Sequence, residues 1–89
     1  MADFGDWALF RDTEIDGIAI FDGFDEVVFR QDGVEPNYWS VFLTYHRTAE
    51  HWGRECFGDY LTLDAARQAA RRCDVEIVRA IGRRVDGVH

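Results

Sequence analysis

Apolar positions recur along this chain at two different spacings, and the change of spacing divides it into elements. In residues 15–37, IDGIAIFDGFDEVVFRQDGVEPN, they gather in two short runs flanking Asp22, Gly23 and Asp25, which predicts two strands joined as a hairpin. A two-residue turn at Asp22 and Gly23 would set Ile20 opposite Asp25 and bring a carboxylate onto the apolar face. A four-residue loop from Asp22 to Asp25 instead pairs Ile20 with Val27 and Ile18 with Phe29. That register keeps one face apolar and is the expected one.

The segment YWSVFLTYH alternates with period two, placing Trp39, Val41, Leu43 and Tyr45 on one face and Ser40, Phe42, Thr44 and His46 on the other. RECFGDYL reads as a fourth strand, with Gly58 marking a bulge or a close helix approach. At TLDAARQAARRC the spacing changes to that of a helix. Thr62 is placed to cap it, Asp64 and the pair Arg71 and Arg72 suit its dipole, and Leu63, Ala66, Ala70 and Cys73 form a stripe to lie on a sheet. Arg67, Gln68, Arg71 and Arg72 are expected to face water. VEIVRAI reads as a last strand, although Val75, Val78 and Ile81 at spacing three also suit a short helix, and the tail GRRVDGVH reads as loose. The expectation is a single domain over residues 1–89 of the α+β class: an antiparallel sheet of four to five strands with one helix packed on one face.

Composition fits a small folded domain. In 89 residues, 47% are apolar and 15% aromatic, enough for one core despite a net charge of -7. The basic residues are all arginine, a bias expected of a GC-rich bacterial or phage coding sequence. The opening MADFGDWALFRD has acids before its first base and resembles no signal peptide, and apolar runs stop at four residues. A soluble protein of the bacterial cytoplasm is therefore expected, with Cys56 and Cys73 as reduced thiols.

No catalytic pattern emerges. Ser40, the lone serine, lies in an alternating strand and reads as a solvent-facing sheet residue, and without lysine there is no phosphate-binding P-loop. His46, His51 and Cys56 are metal-ligand types, yet an obvious fourth ligand is missing, and they read as two solvated histidines and a core thiol. Asp22, Asp25 and Glu26 could hold magnesium as in a nuclease, but only Arg30 is near to meet a phosphate, and turn formation explains them more simply. The aromatic strand resembles a base-stacking platform but lacks a basic groove. A protein without cofactor, metal or enzymatic activity is expected.

Charge changes this picture most. Residues 1–35 carry ten acids and two arginines, a net of -8, while residues 36–89 carry seven acids and eight arginines, a net of +1. Such a surface favours solubility and shields strand edges. It is also complementary to a cationic groove that normally receives nucleic-acid phosphates. In being small, acidic, α+β and free of enzymatic motifs, the chain resembles phage-encoded anti-CRISPR proteins. That resemblance implies a DNA-mimicking inhibitor that binds a CRISPR effector complex and blocks target recognition. Asp16, Asp22, Asp25, Glu26, Asp32 and Glu35 would form its partner-binding surface, with Tyr38 and Trp39 as aromatic anchors. The partner would be a basic protein or ribonucleoprotein, with no direct nucleic-acid or membrane binding, and the chain a monomer or weak homodimer. The junction GDYLTLDAARQAA resembles that of HicB-type antitoxins, which implies a module neutralising a basic toxin. A third reading is a nucleic-acid-binding domain using Arg67, Arg71, Arg72, Arg79, Arg83 and Arg84.

Overall fold

A computed structural model describes residues 7–21, 23–27 and 34–86 of the chain. After a single 3-10 turn, Trp7–Leu9, come four strands and a helix: β1 Phe10–Phe21, β2 Phe24–Val27, β3 Tyr38–Tyr45, β4 Arg54–Tyr60 and α1 Leu63–Asp86. The strands form one antiparallel sheet in the order β2-β1-β3-β4. The helix crosses one face of it, packing on β1, β3 and β4. The protein is thus α+β, an antiparallel sheet covered by one helix.

Period-two alternation in β3 places its apolar set against the helix. Val41 packs with Ala66, Ala69 and Ala70, and Leu43 with Phe10, Cys73 and Ile77, while Trp39, Tyr45, Phe57 and Tyr60 close the margins. Alanines at the first contact let helix and sheet approach closely; larger side chains fill the second. Thr62 caps the helix, its hydroxyl accepting from the Ala65 amide at 3.1 Å.

Three sequence expectations need correction. VEIVRAI is not a strand: α1 runs unbroken through it and through most of the tail, to Asp86. The reason lies in the stripe, which continues from Cys73 to Ile77 and Ala80, all buried, while Val75, Val78 and Ile81 face solvent. Burial of Ile77 against Phe10 and Leu43 outweighs the weak helix propensity of the β-branched run. Thr13 ties the helix further, its hydroxyl donating to Asp74 at 2.9 Å.

The hairpin register also differs. Phe21 pairs with Phe24, Ile20 with Asp25 and Ile18 with Val27, so the turn has two residues rather than four. Gly23 takes φ +83, the left-handed conformation that an Asp-Gly turn supplies. Burial, which would favour the longer loop, does not act here, because Ile20, Val27 and Phe24 are all exposed. Asp22, and residues 28–33 with Phe29 and Arg30, lie outside the described residues. Third, Ser40 does not face solvent; it is buried and donates to Asp59 at 2.5 Å.

Gly58 marks a bulge, as pairing shifts between Val41 with Gly58 and Phe42 with Cys56. The space beside it holds no helix backbone. It is taken by the ring of Tyr60, whose hydroxyl lies 3.1 Å from where a Cβ at 58 would stand.

Candidate functional site

Beyond the register shift between Phe10 and Asp12, the even-numbered side chains Asp12, Glu14 and Asp16 of β1 share the face of the sheet away from the helix. Arg54 of β4 reaches across β3 to meet them. Its guanidinium lies 3.9 Å from the Phe42 ring centroid and forms ion pairs with Glu14 at 2.9 Å and Asp16 at 2.6 Å. Asp16 is only 3% exposed, and its Oδ2 has no aligned hydrogen bond beyond this ion pair. The close contact with Asp16 holds the Arg54 cation more firmly charged than usual. Asp16 therefore belongs to an internal charge cluster; its burial corrects the expectation that it faces a partner.

The other residues of the expected acidic surface are distributed as follows. Glu35 is exposed. Asp25 stands opposite Ile20 and Glu26 opposite Ala19, at the outer edge of the sheet in β2. Asp22 and Asp32 lie outside the described residues. Tyr38 and Trp39, adjacent in β3, point to opposite faces: Tyr38 is half-buried opposite Ile18, and Trp39 packs on the helix-side core. One contact surface on either face of the sheet can thus take only one of the two as an anchor.

Sequence reasoning missed what surrounds those acids. Ile20 is 50% exposed, Phe24 73% and Val27 44%, and Val34 is exposed beside Glu35. The hairpin end of the sheet extends beyond the start of α1, whose first buried contacts are to Val41. The molecule is elongated, 54 × 29 × 24 Å. Apolar side chains with no core to enter thus coincide with the most acidic part of the chain. The even spacing of Ile18, Ile20 and the run at Val27 is visible in the sequence, where it predicts a core face.

Nucleophile and metal chemistry find no arrangement among the described residues. Burial pushes the Cys73 thiol up to about 11, and burial followed by repulsion from Asp59 raises that of Cys56, so neither is an activated thiolate. His51 stacks on Tyr45 at 5.2 Å while Cys56 sits 3.8 Å from an Asp59 oxygen, and no group of three metal-ligand residues forms among the described residues. The Tyr45 hydroxyl donates to Glu55, which raises its pKa. No helix among the described residues is long and apolar enough to cross a membrane.

Comparison with protein-family models, curated proteins and solved structures finds no match for the chain.

Proposed function

We propose that this protein is a non-catalytic inhibitor that docks its acidic hairpin end on a basic, nucleic-acid-handling protein, in the manner of an anti-CRISPR that blocks target DNA recognition. The observation that carries the reading is the coincidence of exposed Ile20, Phe24 and Val27 with the sector of the chain whose net charge is -8. Apolar side chains left in water within a charged rim are the composition of a protein contact, where the apolar centre supplies affinity and the rim supplies steering. Asp25, Glu26 and Glu35 belong to that rim, with Asp22 and Asp32 completing it in sequence. Asp16 and Trp39 support it from within rather than touching the partner.

Affinity capture from nuclease-treated bacterial lysate, including strains expressing CRISPR effectors, tests this reading. Recovery of a basic nucleic-acid-binding complex, released by rising salt and displaced by its own DNA or RNA, is expected. Direct, salt-dependent binding of nucleic acid to the free chain would instead favour the exposed helix arginines Arg67, Arg71 and Arg72.

A further inference from the structure

Between β4, an edge strand among the described residues, and the flank of α1 runs a groove of about 740 Å³ lined by Trp7, Phe57, Tyr60, Ala69, Arg72 and Cys73. Its size falls within the range of small-molecule sites. Its floor is apolar: Cys73 and Ala69 are buried, and the Trp7 ring lies tilted against Phe57 with centroids 6.1 Å apart. Val75, exposed, extends the apolar surface along the helix rim.

Charge in the groove is unbalanced. Glu76 on the rim is engaged by Arg79 at 3.5 Å, whereas Arg72 makes no ion pair among the described residues. An exposed guanidinium with open donors at the mouth of an apolar cleft is matched by a carboxylate on a hydrocarbon body, since the ion then binds at the wet end and the chain at the dry one. Tyr60 adds a neutral phenol beside it, kept protonated by burial. The surrounding half of the chain, residues 36–89, carries a net of +1 and does not repel an anion, in contrast to the hairpin half.

We propose that this groove binds an amphiphilic carboxylate, with its hydrocarbon against Trp7, Phe57, Ala69 and Cys73 and its carboxylate on Arg72. The site is separate from the hairpin surface and stands whether or not that surface docks a partner.

Amide chemical-shift titration of the full chain with octanoate, and in parallel with octanol, tests the proposal. Saturable shifts at Phe57, Tyr60, Ala69 and Cys73 are expected, with octanoate about tenfold tighter than octanol, the advantage of a charged hydrogen bond. Arg72 is exposed and its removal does not threaten the fold. Arg72→Gln, checked for a native spectrum, should bring octanoate down to the affinity of octanol. Equal binding of the two ligands by the natural chain, or an Arg72→Gln variant that keeps the preference, would overturn the proposal. Absence of shifts at the groove would overturn it as well.

Discussion

Arg54 shows how one side chain settles the fate of its neighbours. Glu14 and Asp16 would repel each other along β1, and Asp16 would sit in the sheet as a buried, uncompensated carboxylate, without the guanidinium held over Phe42. Truncation to Arg54→Ala should therefore cost about 3–5 kcal/mol in urea unfolding, far more than a surface ion pair, because it strands a buried charge. The double variant Arg54→Met with Asp16→Leu should recover most of that loss; an Arg54→Ala cost under about 0.5 kcal/mol would show that Asp16 is solvated. Cys73 gives a pH dependence of known sign. Its folded pKa of about 11 lies above the ordinary value of 9.0, so the thiol's contribution is fully present below pH 9 and is lost as pH rises toward 11. Stability should fall by on the order of 2 kcal/mol across that window, and Cys73→Ala should flatten the slope relative to the natural chain.

At the scale of elements, the helix and sheet are joined through positions where size decides. Replacing Gly17 by Ala places a Cβ 2.6 Å from Pro36 Cγ and 3.1 Å from Trp39, and overpacking of this kind should cost about 1–3 kcal/mol by thermal or urea denaturation. Ile77→Ala, in the continuous part of α1, should cost about 2–4 kcal/mol, whereas Val78→Ala should be near neutral, since Ile77 is buried and Val78 faces water. Equal costs at 77 and 78 would contradict the helical phase. The sequence was informative wherever burial imposed a period: β3 and the alanine stripe were legible because each has one face in the core. It misled at VEIVRAI, where β-branched residues favour a strand locally and only tertiary contact with Phe10 and Leu43 selects a helix. It misled again at the hairpin, where the argument from an apolar face fails because no core covers Ile20 and Val27, leaving the Asp-Gly turn to set the register. Of the candidate site, the charge was readable from composition. The burial of Asp16 was not, since it depends on Arg54, distant by 38 residues in sequence and brought near only by strand order.

Over the whole molecule, charge and exposed apolar surface are segregated. One end carries the acidic hairpin with Phe24 in water, the other half carries α1 with exposed arginines, and the core between them is built from alanine, Val41, Leu43 and Phe10. Asp12 and Glu14 stand exposed on the part of β1 that pairs with β3 but that β2 does not reach on the other edge, where charge discourages pairing with a further strand. Because the hairpin end lies outside this core, the combined change Phe24→Ala, Asp25→Lys and Glu26→Lys should leave unfolding free energy within about 1 kcal/mol of the natural chain. The docking of this end on a basic nucleic-acid-handling complex, proposed above, is tested by the affinity of the captured complex for the natural chain and for that triple variant, measured with and without competing DNA. A loss on the order of 100-fold in the variant is expected, with displacement of the natural chain by DNA. Affinity unchanged by the three substitutions, or binding indifferent to DNA, would contradict it and leave the acidic end a solubilising surface.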